Sequence, residues 1–321
     1  MKTTEEIKQI ALNTIQAELE AIRGLQLAVN EDFVKIVELI LNGKGRVVIT
    51  GIGKSAIIAN KIVSTLNSTG TPAIFMHAAD AIHGDLGIIQ QNDLVICLSK
   101  SGETPEIKVL LPLLKHHGNK LVALVGNTQS YLAKTADYIL DATVSKEACP
   151  YNLAPTASST AQLVLGDALA VALLECRGFT QGDFARLHPG GSLGKQLYLR
   201  VSDLYVNNEV PQVDIDADIR SVIMEISAKR LGATAVMNDG HMAGIITDGD
   251  LRRMLEKNEN ISGNRARDIM TVNPKTISTD SLVVEALALM RKYNITQLPV
   301  LEDENYVGVI HLHDILKEGI L

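Results

Sequence analysis

The residues of this sequence that are best suited to chemistry follow the ends of short apolar segments. Ser99, Ser101 and Thr104 come directly after one such segment and just before Pro105. Thr as an N-cap and Pro at the first helical position predict that a helix begins here. Three hydroxyls beside the free N–H groups of a helix start can hold a phosphomonoester without a metal. We therefore predict that the loop 99–106 binds a phosphate, beyond capping its helix.

A second candidate is the glycine-rich turn 51–55, which also follows a strand-like segment and precedes a helix-like one. A dinucleotide site would need an acid at the end of the second strand, but that strand ends at His77. A P-loop would need a glycine at the position of Val48. The P-loop interpretation therefore fails, and the dinucleotide interpretation is disfavoured. The turn is better explained as a helix start with a hydroxyl and the Lys54 ammonium group nearby, which favours an anion.

Other ionisable side chains follow the remaining predicted strands and helices. Glu106 lies on the first turn of the helix after Pro105, and Glu147 follows the fifth predicted strand. His77 and His83 follow the second strand, and His188 follows a long apolar helix. Taken singly, such residues more often serve as hydrogen-bonding partners than as catalysts. Two histidines without a third ligand do not make a metal site, so we predict none.

The elements that position these residues begin with five apolar segments alternating with helical ones. The predicted strands are 46–50, 71–76, 93–98, 120–125 and 137–140. This alternation predicts an α/β fold, a doubly wound five-stranded parallel sheet of order 2-1-3-4-5. In that order the loops after strands one and three flank the point where the winding reverses, and open α/β sheets bind ligands there.

The rest of the chain divides into helices and an internal repeat. Residues 4–41 have the spacing of two amphipathic helices, and 155–177 reads as a long buried helix. Beyond residue 201 similar residues recur 64 positions apart, as in Asp250 and Asp314. Each repeat unit reads as helix, strand, strand, helix, and two units packed together bury their apolar faces. The predicted organisation is N-terminal helices at 1–41, the α/β domain at 42–202, and repeats at 203–264 and 265–321.

Composition narrows the classes of function. The 321 residues are 46% hydrophobic, lack Trp and carry a net charge of −7. The high hydrophobic content argues against a disordered chain. Because the net charge is negative and no run of basic residues occurs, we expect no nucleic-acid partner. Three cysteines without CxxC spacing, at Cys97, Cys149 and Cys176, indicate reduced thiols. The acidic first residues do not resemble a signal peptide, and the apolar run 163–174 is interrupted and short. We therefore expect a cytoplasmic protein without a membrane contact.

Together these motifs resemble the sugar isomerase (SIS) domain family joined to two cystathionine-β-synthase (CBS) repeats. The resemblance covers nearly the whole chain and is carried by residues 51–55, 68–72, 83–87, 99–106, 146–150, 153–156, 166–168 and 188–191. It implies a SIS-type sheet, a smaller C-terminal α/β tandem CBS pair, and a homotetramer whose sites draw on neighbouring subunits. The sequence departs from the family at Lys100, where Asn is common, and at 56–59, which is less Gly-rich.

The activity that the resemblance implies is aldose–ketose isomerisation of D-ribulose 5-phosphate and D-arabinose 5-phosphate. The reaction would pass through an enediolate, require no cofactor and feed synthesis of Kdo for lipopolysaccharide. The positions that match the family's catalytic set are Lys54, Glu106, Glu147 and His188. Gly70, Thr71, His77 and His83 match positions near the substrate, and Gly53, Ser55, Ser99, Ser101 and Thr104 complete the predicted substrate-binding set.

An isomerase of this kind needs a carbon base, a proton shuttle for hydroxyl groups and a positive group for the oxyanion. We expect Lys54 to stabilise the oxyanion or phosphate, and His188 to open the ring or move hydroxyl protons. Either Glu106 or Glu147 would be the carbon base. Two alternatives remain, an isomerase for a hexulose or heptose phosphate and a non-catalytic phosphosugar or nucleotide sensor. The acidic-to-neutral helices at 4–41 count against a DNA-binding sensor.

The repeats suggest a ligand of their own. In CBS units a hydroxyl residue followed three positions later by Asp commonly holds a nucleotide ribose, and Thr247 and Asp250 match that pattern. The second repeat keeps the acid as Asp314 but has His311 in place of the hydroxyl. We predict at most one adenosine-like or cytidine-like ligand per pair, with a purely structural pair as the alternative.

Overall fold

Five segments of almost continuous apolar sequence form one sheet, because strands that are covered by helices on both faces carry few polar side chains. The strands are β1 (Val47–Gly51), β2 (Ala73–His77), β3 (Leu94–Ser99), β4 (Lys120–Val125) and β5 (Tyr138–Asp141). All are parallel and their order is β2-β1-β3-β4-β5, which confirms the predicted topology. Most strand ends differ from the predicted ones by one or two residues.

The computed structural model describes residues 1–257 and 263–320, and these residues form two units. The first unit is Met1–Phe184 and contains the sheet, and the second is Ala185–Leu321. Residues 185–202, which the sequence analysis assigns to the α/β domain, group with the second unit by their contacts.

The described part of the first unit contains seven α-helices and the start of an eighth. They are α1 (Thr4–Gly24), α2 (Glu31–Asn42), α3 (Lys54–Ser68), α4 (Ala78–Ala81), α5 (Pro105–His117), α6 (Tyr131–Thr135) and α7 (Ala157–Cys176), and α8 (Gln181–Leu187) crosses into the second unit. One core packs α2, α3 and α7 against one face of the sheet. A second core packs α4, α5 and α6 against the other face. The predicted N-cap of α2, Asn30, accepts hydrogen bonds from two backbone N–H groups of that helix.

Helix α7 is the one described helix long and apolar enough to cross a membrane. About half of it is buried inside the protein, as is usual for a core helix. Gly166 lies against Ile62 of α3, so the two helices approach closely. Asp167 forms an ion pair with Lys61 at 2.6 Å on the exposed side of the same contact.

The second unit contains the internal repeat. Its helices are α9 (Ser192–Tyr198), α10 (Val201–Tyr205), α11 (Ile219–Lys229), α12 (Asp248–Lys257), α13 (Ala266–Ile269), α14 (Val283–Tyr293) and α15 (Leu312–Lys317). Its strands are β6 (Gln212–Asp214), β7 (Ala233–Asn238), β8 (His241–Thr247), β9 (Thr271–Val272), β10 (Ile277–Ser278), β11 (Gln297–Glu302) and β12 (Asn305–His311).

Corresponding elements of the two repeats confirm the offset of 64 residues. The strand pair β7–β8 has a bulge between Val236 and Met237, and the pair β11–β12 has its bulge between Val300 and Leu301. The strands form a four-stranded sheet of order β6-β7-β8-β9 and a three-stranded sheet of order β10-β11-β12. Each sheet packs on its own apolar cluster.

Candidate active site

The loops after β1 and β3 meet the start of α7 around a cavity of about 340 Å³. The cavity lies at the carboxyl edge of the sheet, between the two strands where the winding reverses. Its lining is polar apart from a few residues and consists of Ile52, Lys54, Ser55, Leu98, Ser99, Lys100, Ser101, Thr104, Pro155, Ser158, Ser159 and Gln162. The two loops that the sequence analysis selects therefore line one cavity.

The hydroxyl side chains of the loop after β3 form hydrogen bonds within that loop. Ser99 Oγ lies 3.1 Å from Thr104 Oγ1 and accepts a hydrogen bond of 3.0 Å from the Gly102 N–H. Ser101 Oγ accepts a hydrogen bond of 3.2 Å from the Glu103 N–H. Thr104 is the N-cap residue of α5, as predicted, but its side chain makes no capping hydrogen bond to that helix. Its hydroxyl instead faces the cavity beside Ser99 and Ser101, where it can contact an anion.

Gly102 is required at the tip of this loop for two reasons. Its φ of +66° belongs to the left-handed region that side chains other than glycine disfavour. A Cβ atom at this position would also lie 2.0 Å from Ser130 Oγ. The Gly102 carbonyl accepts a hydrogen bond from the Leu132 N–H at 3.1 Å, so the loop is tied to α6.

The turn after β1 presents the second group of predicted residues. Gly53 precedes α3 with a φ of +57°, and Lys54 is the first residue of that helix. Ser55 Oγ donates a hydrogen bond of 3.4 Å to Gln162 Oε1 of α7. Lys54 and Ser55 both line the cavity, across from the loop after β3.

Glu147 is the most strongly bound acid near the cavity, and its side chain is completely buried. Lys100 Nζ lies 2.6 Å from Glu147 Oε1, and Ser158 Oγ donates to the same oxygen at 2.5 Å. Glu147 Oε2 accepts hydrogen bonds from the backbone N–H groups of Thr156 at 2.9 Å and Ser158 at 3.1 Å. Burial alone raises the pKa of Glu147, but these hydrogen bonds outweigh burial and lower that pKa to about 2.

This network assigns Glu147 a task that sequence reasoning missed. The N-cap residue of α7, Thr156, makes no side-chain cap to its own helix, and the Glu147 carboxylate takes the first N–H groups instead. A carboxylate at this end is also favoured by the helix dipole. Hydroxyl residues such as Thr156 and Ser158 at a helix start ordinarily indicate a self-cap, so they gave no signal that an acid would bind there.

Lys100 was identified from the sequence only as a departure from the family pattern. Its backbone carbonyl accepts a hydrogen bond from the Gly126 N–H at 3.0 Å, which fixes the residue at the end of β3. Its side chain is 41% exposed, lines the cavity and ends on the buried Glu147. The sequence could not predict this contact, because Lys100 and Glu147 are 47 positions apart in the chain (147 − 100).

The remaining predicted residues of the first unit lie at different distances from the cavity. Glu106 is half-buried in the first turn of α5, two residues beyond Thr104, and it is not among the described residues that line the cavity. His77 ends β2 at the carboxyl edge of the sheet, with Nδ1 3.6 Å from Asp80 Oδ2. His83 is exposed in the turn that follows.

Gly70 and Thr71 lie at the amino end of the sheet, opposite the cavity, because they follow the C-terminal end of α3. The Arg177 guanidinium donates hydrogen bonds to the Gly70 carbonyl at 3.2 Å and to the Thr71 hydroxyl. Within one chain these two residues are not brought to the cavity, so their predicted place near the substrate stays a prediction. His188, directly after α8, belongs to the second unit, and its predicted role also stays a prediction.

A second cavity, of about 300 Å³, lies between the repeats and includes Thr247, Asp250, Arg253, Lys275 and Tyr293 in its lining. Thr247 Oγ1 donates a hydrogen bond of 2.6 Å to Asp250 Oδ2. The Arg253 guanidinium binds the other oxygen of Asp250. The Lys275 ammonium lies 5.1 Å from the centre of the Tyr293 ring. The sequence-predicted pair thus lines one cavity together with an aromatic ring and several apolar side chains.

The corresponding position of the second repeat is filled by the chain itself. Asn208 Nδ2 donates hydrogen bonds to Asp314 Oδ2 at 2.7 Å and to the Val309 carbonyl at 3.0 Å. The Tyr205 ring lies close enough to Gly308 that a Cβ there would be 3.0 Å from it. The segment after α10 therefore occupies the place where a second ligand would contact Asp314.

Comparisons with known proteins cover both units. The SIS domain model matches residues 40–172, and the CBS domain model matches residues 201–257 and 266–320. The chain is 48% identical over 314 residues to arabinose 5-phosphate isomerase KdsD of Pseudomonas aeruginosa, covering 97% of this chain and 96% of that protein. It is 44% identical to the enzyme of the same name from Yersinia pestis, and the match covers 98% of this chain and 97% of that protein. A solved Escherichia coli protein in complex with arabinose 5-phosphate is 39% identical with a TM-score of 0.57, covering 59% of this chain and all of that one.

Proposed function

The chain belongs to the arabinose 5-phosphate isomerase family, and we propose on that premise that it interconverts D-ribulose 5-phosphate and D-arabinose 5-phosphate. Relatives of that name match almost its full length at 44–48% identity. A structural neighbour that contains arabinose 5-phosphate matches over 59% of the chain. The reaction moves a hydrogen between C1 and C2 of the sugar and leaves the phosphate unchanged.

The observation that carries the proposal is the cavity between the loops after β1 and β3. Ser99, Ser101 and Thr104 offer hydroxyls on one side, and Lys54 offers an ammonium group on the other. Its volume of about 340 Å³ lies within the range of about 300–1,000 Å³ that is usual for small-molecule sites. We propose that the phosphoryl group binds the hydroxyl side and that the C1–C2 end of the sugar extends beyond the described lining of the cavity, between Lys54 and the first turn of α5, where Glu106 lies.

We propose Glu106 as the carbon base. Both oxygens of Glu147 are engaged by donors and its pKa is lowered to about 2, so Glu147 has little affinity for a proton at neutral pH. Glu106 would take a proton from C1 of the ketose, the C1–H electron pair would form the C1=C2 bond, and negative charge would gather on the C2 oxygen. The proton would then return to C2, while the proton of the C1 hydroxyl passes to the C2 oxygen, which leaves a C1=O carbonyl and a C2 hydroxyl.

Two further groups would serve the intermediate. Lys54 would stabilise the negative oxygen of the enediolate, since a fixed positive charge beside a developing oxyanion is a major source of rate acceleration. His188 would open the sugar ring or move hydroxyl protons. Glu147 would orient the start of α7. We propose that these groups act without a cofactor or metal.

The experiment that tests the function mixes purified protein with D-ribulose 5-phosphate in the presence of a chelator. Formation of D-arabinose 5-phosphate is the expected result. Turnover of a hexulose or heptose phosphate in place of the pentose would support a different isomerase. Binding of phosphosugars without turnover of any would support a sensor and overturn the proposal. Turnover that chelator abolishes would overturn only the metal-free part.

For the second unit we propose a single nucleotide ligand, of adenosine or cytidine type, in the cavity with Thr247 and Asp250. The polar pair and the ring of Tyr293 support this, since ribose hydroxyls bind carboxylates and bases stack on aromatic rings. The hydrogen bond from Asn208 to Asp314 supports one ligand rather than two, because it engages the carboxylate that a second ribose would bind. Calorimetry with a nucleotide panel tests it, and no heat with any member would favour a purely structural pair.

We also propose a cytoplasmic homotetramer that feeds Kdo synthesis for lipopolysaccharide. Exposed apolar side chains along α1 support an assembly, namely Ile7, Ile10, Leu12, Ile15 and Leu19. Light scattering at working concentration should give four times the chain mass of 34.7 kDa, and a monomer mass would refute the assembly. Loss of the gene should make lipopolysaccharide synthesis depend on supplied arabinose 5-phosphate.

A further inference from the structure

An ion pair between Lys100 and Glu147 connects the loop after β3 to the start of α7. At one end the Lys100 backbone is fixed by the Gly126 N–H, and its Nζ reaches Glu147 Oε1 at 2.6 Å. At the other end Glu147 Oε2 binds the backbone N–H groups of Thr156 and Ser158. The hydroxyl loop and the helix that form opposite sides of the cavity are thereby held at a set distance.

The charge of Lys100 is what makes this arrangement favourable. The Glu147 side chain is fully buried, and a buried carboxylate is costly unless it is paired and hydrogen-bonded. Its partners on α7 are neutral hydroxyl and N–H groups, whereas Lys100 supplies an ammonium charge. Lys100 itself stays 41% exposed, so it keeps much of its hydration while it pairs.

We infer that Lys100 is a positioning residue of the proposed isomerase, which holds the ionised Glu147 against the first turn of α7 and so fixes the Ser158 and Gln162 side of the cavity. The inference rests on the proposed function for its kinetic test. Lys100 acts in it through Glu147 and not by contact with the reacting carbons. The competing use of the same ammonium group is direct binding of the substrate phosphoryl group, since Lys100 also lines the cavity.

The first test compares Lys100→Met, Lys100→Gln and Lys100→Arg by steady-state kinetics with ribulose 5-phosphate. A misplaced cavity wall should lower kcat by about 10-fold or more while KM changes by less than about 3-fold. Arg keeps the charge and should recover most of kcat, whereas Gln should not. A KM raised by about 10-fold with unchanged kcat would overturn the inference and identify Lys100 as a phosphoryl ligand.

The second test places Lys100→Met in a Glu147→Gln background. If Lys100 acts through Glu147, the second substitution should change kcat by less than about 2-fold, because the carboxylate that it positions is already neutral. An equal loss in both backgrounds would overturn the inference. Lys108→Met is the matched control, since Lys108 also pairs with a glutamate, Glu103, at 2.5 Å, but both side chains are about half exposed.

The same double-mutant cycle, which combines Lys100→Met with Glu147→Gln, can be measured by urea unfolding without any substrate. Lys100→Met should lower the unfolding midpoint of the wild-type chain but should not lower that of Glu147→Gln. If the wild-type protein failed to turn over ribulose 5-phosphate, the proposed function would fail, yet this coupling would still be seen. Absence of coupling in unfolding would overturn the role of Lys100 whatever the activity.

Discussion

Replacing Glu147 by Gln is the perturbation whose effect can be worked out most fully. The amide keeps the shape of the side chain but has one oxygen to accept hydrogen bonds where the carboxylate has two. The backbone N–H groups of Thr156 and Ser158 cannot reorient, so they should keep the oxygen. The amide NH₂ would then face Lys100, and that charge-assisted hydrogen bond would be lost.

The size of the effect on the free energy of unfolding follows from the lowered pKa of Glu147. Glu147 has a pKa of about 2 in the folded protein against an ordinary value of 4.5. One pKa unit corresponds to about 1.36 kcal/mol, so the ionised carboxylate contributes about 3 kcal/mol to the free energy of unfolding. A single hydrogen bond to a charged group contributes about 1.5–3 kcal/mol, which agrees with this value. We therefore expect Glu147→Gln to lower the free energy of unfolding at pH 7 by about 2–3 kcal/mol.

The effect should depend on pH in a defined direction. Because the folded pKa is lowered, the stabilisation is present above pH 4.5 and is lost as the pH falls towards 2. The difference between wild type and Glu147→Gln should therefore shrink over that interval. Hydrogen exchange of α7 peptides across a urea series measures it, because those peptides report the first unit alone.

The control for this measurement is Glu103→Gln. Glu103 also accepts hydrogen bonds from a lysine, Lys108, and from a backbone N–H, that of Tyr131 at 2.6 Å, and these lower its pKa. It is exposed, so water screens the pair and the substitution should leave the unfolding midpoint unchanged. If Glu147→Gln proved as stable as wild type at pH 7, the reasoning about its buried network would be refuted.

Three further substitutions test the cavity, the core and the second unit. Gly102→Ala should raise KM for ribulose 5-phosphate by about 10-fold or more, because a positive φ and the contact with Ser130 would displace the hydroxyl loop. Gly166→Ala should lower the free energy of unfolding by about 1–3 kcal/mol, because its Cβ would lie 2.4 Å from the buried Ile62 side chain. Asp250→Ala should abolish the heat of nucleotide binding in calorimetry.

Each of these has a matched control in the chain. Gly118 also has a positive φ, of +80°, but no atom lies within 4 Å of the Cβ that alanine would add. Gly118→Ala should therefore leave KM for ribulose 5-phosphate unchanged. Gly24→Ala adds a methyl group in open space and should not destabilise. Asp314→Ala should leave nucleotide binding intact, because Asn208 already occupies that carboxylate. Equal effects of test and control variants would contradict the corresponding explanation.

The sheet and its order could be predicted because they depend on local patterns. Continuous apolar strands such as 94–98, separated by helical segments, allow few topologies, and the observed order matches the predicted one. That the loops after β1 and β3 meet at one cavity then follows from topology, since the carboxyl ends of parallel strands share one edge. The repeat was equally visible, because the same offset of 64 residues relates several pairs of similar positions.

What could not be predicted depends on side chains that are distant in the sequence. Nothing in the sequence around Lys100 or Glu147 shows that the two reach each other across the edge of the sheet. Asn208 gave no signal either, because it binds Asp314 more than a hundred residues later. The family resemblance places Gly70 near the substrate, yet within one chain it lies at the opposite end of the sheet, since α3 runs antiparallel to β1.

The most direct test of the central claim is a crystal structure of the full chain with bound D-arabinose 5-phosphate. The phosphoryl oxygens should lie within hydrogen-bond distance of the hydroxyls of Ser101 and Thr104, with the C1–C2 end of the sugar towards Lys54. A phosphoryl group bound anywhere else, for example beside His77 and His83, would contradict the assignment of this loop.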